Sequence, residues 1–313
     1  MAKRKILFIV NPASAGGRTH ERWKDVIPKL KQADFEYDVA LTQKAGCAIK
    51  MTEEAIVSGK YDTLISVGGD GTANEIVNGM MAAHIAHHEL PAFTIFPSGT
   101  GSDTVRTLGI PKEIDGFIKM VEANGFKAVD VGKASFITDD GISGSRYFLN
   151  ASDVGIGATV ANVVNSMNQD QEKKSGKAKY FRSIQQQVFK FKAFDADCNA
   201  SGQSHKLDQT VIIAVCNGMF FGGGVKISPV SQMDDGMLEL FATARVSKIG
   251  LLGIVSKVYS GSHLGHAKVK FQRGKVFEVE LKKPQLLETD GEVCGVVSKV
   301  CFEVLPLAIK VLC

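Results

Sequence analysis

No stretch of the chain reaches the roughly 18–20 uninterrupted apolar residues that a membrane-spanning helix needs, so no transmembrane segment is expected. The apolar run Ile6–Val10 is shorter than the roughly 7–15 residues of a secretory leader. Asn11-Pro12 ends it, and it reads as a first buried strand. The cysteines, Cys47, Cys198, Cys216, Cys294, Cys301 and Cys313, are scattered, with no C-x-x-C pair. That pattern fits a reduced, cytoplasmic protein better than a disulfide framework. Aromatic residues are few (8%), and no basic segment interleaves them. The net charge of +4 is mild; it permits contact with an anionic surface and does not argue for nucleic acid. No Gly-Lys-Ser/Thr follows the first strand's loop, which excludes a Walker phosphate loop there, and the G-x-G-x-x-G dinucleotide fingerprint is missing too.

What is present is a globular composition, 44% hydrophobic and 22% charged, over 313 residues, which favours two domains. Up to about residue 130, short β-branched runs alternate with helical patterns. Strands are expected at 5–10, 35–41, 63–69 and 93–97, and helices at 19–32, 46–58, 72–84 and 112–123. This rhythm predicts a parallel sheet covered on both faces, with ligands outside the carboxyl ends of its strands. Beyond 130 the rhythm changes. YFLNASDVG, QTVIIAVCNG, GMLELFAT, KVFEVELK and KVCFEVLP read as strands of an antiparallel β domain, with helices near 157–167, 179–193 and 247–261. The polar stretch 168–179 reads as an exposed loop.

Several segments could carry chemistry. Gly68-Gly69-Asp70-Gly71-Thr72 lies between a strand and a helix, where backbone N–H groups can cradle phosphate. Asn74 and Glu75 extend it along the first helical turn. A plain turn with an Asx cap is the rival reading. Asn11-Pro12-Ala13-Ser14 and Pro97–Asp103 follow strands and can share the same edge, with Thr100 suited to phosphate and Asp103 to metal or substrate. A helix cap at Ser102 or Asp103 explains the latter equally well. Leu287–Glu292 gathers acids around Gly291; it suits a general base or a simple Asp-Gly hairpin. Gly222–Gly224 with Asp234-Asp235-Gly236 suits a hard cation such as Mg²⁺ or a β-turn. His84, His87 and His88 have ligand-like spacing but read as a solvated helix end. Lys173, Lys174, Lys177, Lys179 and Arg146 read as solvated charge.

Together, NPASAGG, ISVGGDGTANEIVNG, PSGTGSDTVRTLGIP, VDVGK, FLNASDVGIGATVA, NGMFFGGGVKISP with DDGMLEL, and ETDGE resemble the diacylglycerol-kinase-like lipid kinases, the family that includes the bacterial soluble diacylglycerol kinases and the sphingosine kinases. GGDGT alone also occurs in NAD kinases and phosphofructokinases. The resemblance implies an α/β nucleotide domain of that type, with a parallel sheet, over 1–131 and 305–313. It implies a β-sandwich-like domain over 132–304, and an active site in the cleft between. It implies ATP contacts from Asn11, Pro12, Ala13, Ser14, Thr42, Gly69, Asp70, Gly71, Thr72, Ala73, Asn74, Glu75 and Thr100. Glu292 would be the base, with Asp70, Asp103 and Asp130 as supporting acids. A structural Mg²⁺ would sit on Asp235 and the carbonyls of Gln232 and Met237. Ser102 stands where the family usually has Asn.

The expected activity is ATP-dependent phosphorylation of a lipid hydroxyl, first of diacylglycerol to phosphatidic acid. Sphingoid bases and phosphatidylglycerol remain open as acceptors. A soluble-substrate kinase of NAD-kinase type is the nearest rival, and a non-catalytic lipid-binding protein the rival from another class. The partner is a lipid at a membrane surface, reached by peripheral contact; the oligomeric state, a homodimer included, stays open.

Overall fold

The computed structural model describes residues 3–98, 102–169, 186, 189–200, 202–244, 246 and 248–313. Thr100, the lysines at 173–179 and residues 179–185, 187 and 188 of the helix expected over 179–193 lie outside the described residues. The chain divides into two units, Met1–Val131 with Pro306–Cys313, and Gly132–Leu305.

In the first unit, β1 (Lys5–Val10), β2 (Glu36–Leu41), β3 (Thr63–Gly68) and β4 (Ala92–Pro97) run parallel in the order β4-β3-β1-β2. β3 is buried along its whole length, and β1 from Ile6 onward. Strands of this kind need cover on both faces, and crossover helices supply it. These are α1 (Arg18–Leu30), α2 (Cys47–Val57), α3 (Asp70–Ile85), the short α4 (Asp103–Leu108) and α5 (Ile114–Ala123). Helix α1 buries Trp23, Val26 and Leu30, at helical spacing. The Trp23 ring lies 5.3 Å from Phe8 of β1, and Phe117 of α5 lies 5.0 Å from Phe96 of β4. Burying each such side chain stabilises by about 1.5–3 kcal/mol. Helices α2 and α3 meet at Gly79, where a Cβ would stand 2.5 Å from the Ile49 carbonyl oxygen.

The spacing predicts α3 over 72–84, but the helix starts earlier, at Asp70. Gly69 is its extended N-cap (φ −94°, ψ −175°), so Asp70 belongs to the first turn, where the helix dipole favours a carboxylate. The glycines therefore do not serve left-handed torsions here. Gly68 is required for space, since a Cβ would lie 2.6 Å from Thr72 Oγ1.

The end of the chain belongs to this unit. Val311 pairs with Phe93 in parallel, and the Thr94 hydroxyl donates to the Leu312 carbonyl at 2.8 Å. The buried Asp130 accepts the Leu307 N–H at 2.7 Å.

The second unit is mostly antiparallel. Its elements are β5 (Phe126–Thr138, which begins in the first unit), β6 (Ser143–Phe148), β7 (Ala151–Gly155), α6 (Ile156–Gln169), β8 (Phe194–Ala200), β9 (Gln203–Thr210), β10 (Ile212–Cys216), β11 (Leu238–Thr243), α7 (Lys248–Ser260), β12 (Val269–Gly274), β13 (Val276–Thr289) and β14 (Glu292–Leu312, whose end returns to the first unit). β12, β11, β10, β7 and β13 are successive antiparallel neighbours; β13 also pairs with β14 and β8, and β8 with β9. Phe148, Phe194, Phe277, Phe302 and Leu287 anchor one apolar cluster. Ile212, Ile227, Phe241 and Ile254 anchor a second.

Two expected strands are each broken in two. YFLNASDVG breaks at Leu149-Asn150, because the Asp290 carboxylate takes their N–H groups. QTVIIAVCNG breaks at Val211, whose N–H goes to the Thr243 hydroxyl and whose carbonyl accepts from Ile156. Among the described residues no helix is long and apolar enough to cross a membrane.

Gly79→Val is expected to lower stability by about 1–3 kcal/mol through overpacking, read as a lower urea midpoint. An unchanged midpoint would show that α2 and α3 can part without cost.

Candidate active site

β1 to β4 all deliver their carboxyl ends to one edge, and backbone hydrogen bonds carry the ladder into the loops beyond. The N–H groups of Asn11, Thr42 and Ser98 reach the carbonyls of Val67, Val10 and Gly68 at 2.9, 2.9 and 3.2 Å. Side chains then tie the loops to one another. Asn11 Nδ2 donates to Thr72 Oγ1 at 3.2 Å, joining the first loop to α3. Asn11 Oδ1 accepts the Ala13 N–H at 3.1 Å, which folds the loop back on itself. Ser14 Oγ and Thr19 Oγ1 lie 2.5 Å apart, and Thr19 donates to the Ser98 carbonyl. The Asp103 N–H points at Asp70 Oδ2 at 3.4 Å, and Arg106 pairs with Asp103 at 3.3 Å. Asn11, Ser14, Thr72, Asp70 and Asp103 are thus brought together at the N-terminus of α3. An N-terminus of this kind, ringed by loop backbone, is suited to phosphate.

Other expected contacts take up structural bonds. The Glu75 carboxylate accepts the N–H groups of Gly46 (2.8 Å) and Ala48 (3.0 Å), fixing the start of α2. Ala73 and Asn74 are buried within α3, and Asn74 Oδ1 accepts from Asn78 at 3.2 Å. Asp130 holds the returning chain end, as described above. Ser102 occupies the N-cap position of α4 in a left-handed conformation (φ 53°), without a side-chain capping bond.

In the second unit, Asp290 and Gly291 have φ of 48° and 88° and form a two-residue turn joining β13 to β14. The Asp290 carboxylate accepts three backbone N–H groups, from Leu149 (2.7 Å), Asn150 (2.9 Å) and Ala151 (3.0 Å). Asn165 Nδ2 donates to the Gly291 carbonyl at 2.9 Å. Glu292 follows the turn at once, half-buried and in register with Thr289. The hairpin reading and the candidate base therefore coexist, the turn being what presents Glu292.

Asp235 occupies a tight turn with Gly236 at φ 69°. Its Oδ1 accepts the Met237 N–H at 3.0 Å, and its Oδ2 pairs with Arg273. Arg273 Nε also reaches the buried Glu239 at 3.1 Å. Burial pushes the Glu239 carboxyl up, while the Ser231 hydroxyl and Arg273 draw it down. A carboxylate beside turn carbonyls is donor chemistry that fits a hard divalent ion; here the Arg273 guanidinium already answers part of that charge. Among the described residues no cluster of three or more His, Cys, Asp or Glu side chains could hold a metal.

Sequence reading did not single out Thr19, Arg22, Asn150, Asp153, Asn217 or Arg273; it took Glu288 only as one of the acids gathered around Gly291. Arg22 donates to the carbonyls of Pro97 (2.5 Å) and Lys112 (2.8 Å) from beside Phe96. Asn217 Nδ2 donates to the Leu149 carbonyl at 2.8 Å.

Residues 5–134 match the diacylglycerol kinase catalytic domain model, and residues 151–313 match the YegS C-terminal NAD kinase beta sandwich-like domain model. Diacylglycerol kinase from Staphylococcus carnosus is 26% identical over 294 residues, covering 94% of this chain and 90% of its own. The enzyme from Staphylococcus aureus strain MRSA252 is likewise 26% identical, covering 94% and 87%. A Bacillus anthracis crystal structure, assigned as a diacylglycerol kinase, superposes with a TM-score of 0.77 at 27% identity, covering 100% and 96%. Yeast NADH kinase shares the fold at 9% identity, with a TM-score of 0.52 over 99% and 83% of the two chains. Two domain models in tandem, in order and together spanning most of the chain, lead to one conclusion: the chain belongs to the diacylglycerol kinase family of the YegS type.

Proposed function

We propose that this chain is an ATP-dependent lipid kinase that moves the γ-phosphoryl group of ATP to a lipid hydroxyl, diacylglycerol first, giving phosphatidic acid. The observation that carries the reading is the rim at the N-terminus of α3, where Asn11, Thr72, Thr19 and Asp103 tie three strand-end loops together. Phosphoryl transfer asks a protein mainly for positioning and charge compensation. In this reading Asn11, Pro12, Ala13, Ser14, Thr42 and Gly69–Glu75 frame the nucleotide, together with Thr100. Mg²⁺ arriving with ATP supplies charge neutralisation at the phosphates. Asp70 and Asp103 orient the phosphate side, with Asp130 as a third supporting acid. Glu292 takes the proton of the lipid hydroxyl as that oxygen bonds to the γ-phosphorus; the bond from the γ-phosphorus to the bridging oxygen breaks and ADP leaves.

A resident Mg²⁺ on Asp235 and the carbonyls of Gln232 and Met237 completes the proposal. The lipid is met by peripheral contact at the cytoplasmic face of a membrane. The fold shared with NADH kinase leaves the acceptor to be decided by assay.

Glu292→Gln should fold normally and lose about 10²–10⁴-fold in kcat, with ATP binding retained; wild-type turnover would remove Glu292 from the base role. Labelled ATP offered with vesicles of diacylglycerol, sphingosine or phosphatidylglycerol should place label in an organic-extractable product. Label only in soluble products, or in none, would sink the lipid reading. Asp235→Ala and chelation of Mg²⁺ should each lower the melting temperature. If chelation leaves melting unchanged while Arg273→Ala lowers it, the cation at this turn is Arg273 and not a metal.

A further inference from the structure

Beneath the turn that presents Glu292 lie two carboxyl groups that the proposed transfer does not use. Asp153 of β7 and Glu288 of β13 stand directly opposite one another in antiparallel register, and both are fully buried. Two like charges facing across strands are destabilising even at a surface, and burial makes a second charge far more costly.

Each carboxyl has one oxygen engaged with backbone. Asp153 Oδ1 accepts the Ala158 N–H at 3.0 Å, at the start of α6. Glu288 Oε2 accepts the Gly291 N–H at 2.5 Å, inside the turn itself. The other oxygens, Asp153 Oδ2 and Glu288 Oε1, are buried and make no well-formed hydrogen bond, although the Gly157 N–H also draws on the Asp153 carboxyl. The space is closed around them, since a Cβ on Gly157 would lie 2.4 Å from Asp153 Oδ2. The other titratable groups facing the pair are the Asp290 carboxylate of the turn and the buried Cys216 thiol of β10. Among the described residues no cation pairs with either acid. A proton is the one positive charge that fits.

We propose that Asp153 and Glu288 share a single proton, and that this acid pair, through the Gly291 N–H, is the positioning device that sets Glu292. The proposal rests on Glu292 being the base. The pair's chemistry agrees with it. Burial pushes Asp153 up to about 6, and burial together with the facing Asp153 pushes Glu288 well above the usual carboxylate range. Both acids hold protons more readily folded than unfolded. Their contribution to stability is therefore fully present below the ordinary carboxylate values, and it is lost as the pH rises through about 6 and beyond. Losing the last proton sets two charges against each other and loosens the Gly291 contact.

Glu288→Gln tests this, because the amide donates to Asp153 and accepts from Gly291 with no proton to lose. Melting temperature and kcat are measured from about pH 5 to about pH 9. Relative to wild type, the melting temperature of Glu288→Gln should rise with pH, and its kcat should hold on the alkaline side where wild type declines. Glu288→Ala, which drops the turn contact, should lose about 10–100-fold in kcat with the KM for ATP unchanged. Parallel wild-type and Glu288→Gln profiles would overturn the shared proton. A folded Glu288→Ala with normal kcat would overturn the positioning role. Should Glu292→Gln turn over normally, it is the base reading that fails, and the melting profiles still decide the proton.

Discussion

A parallel sheet sends every strand out at the same edge, and the first unit is organised around that constraint. Each loop leaving β1 to β4 carries backbone groups that the ladder can no longer pair. The chain meets part of this demand with short polar side chains that bridge from loop to loop: Asn11 to Thr72, Thr19 to Ser98, Glu75 to the start of α2. Serine, threonine and asparagine suit this work because they reach neighbouring backbone without bulk. The result is a rim whose loops cannot shift independently, gathered where a helix begins. Loops gathered at a helix N-terminus in this way suit an anionic ligand.

Much of this was legible in the sequence. The continuous apolar runs of β1 and β3 admit few readings other than buried parallel strands, and the three strand-end loops pointed to one edge. The order of motifs along the chain identified the family, and with it an α/β nucleotide domain and a β-sandwich-like partner. What was not legible has physical causes. The start of α3 was misplaced because Gly68 and Gly69 look like a flexible turn, while one is there for space and the other caps the helix in an extended conformation. The hairpin of β8 and β9 was missed because FDADCNA and QSHKLDQT are rich in polar residues, although β8 buries every second side chain. The breaks at Leu149-Asn150 and at Val211 depend on partners far along the chain, Asp290 and Thr243, which no local pattern reveals.

The fold shared with NADH kinase shows that this architecture does not by itself choose an acceptor. In the proposed reaction the nucleotide is handled by the rim of the first unit. Any distinction must come from residues outside it. The expected cation turn illustrates how such positions can diverge. Asp235 retains the carboxylate, yet Arg273 spans both it and the buried Glu239. A guanidinium with a fixed fork can bridge two carboxylates as a divalent ion would, without dependence on metal supply. Whether the ion or the arginine holds this turn bears on stability, not on the route of the phosphoryl group.

The acids around Gly291 show how one short segment gives like residues unlike chemistry. Asp290 is a carboxylate satisfied by three backbone donors, and its charge fastens the turn to the loop before β7. Glu288, two residues earlier on β13 and fully buried, meets another acid instead of a donor set, and so must give up ionisation or share a proton. Glu292 stands half-buried at the start of β14, directly after the turn. The proposed base role of Glu292 needs the main chain beside it held in place. The holding has to be done by its neighbours, and in this turn it falls to the backbone: the three N–H groups that bind Asp290, the Gly291 N–H that binds Glu288, and the Gly291 carbonyl that receives Asn165. Each fixes the main chain beside Glu292.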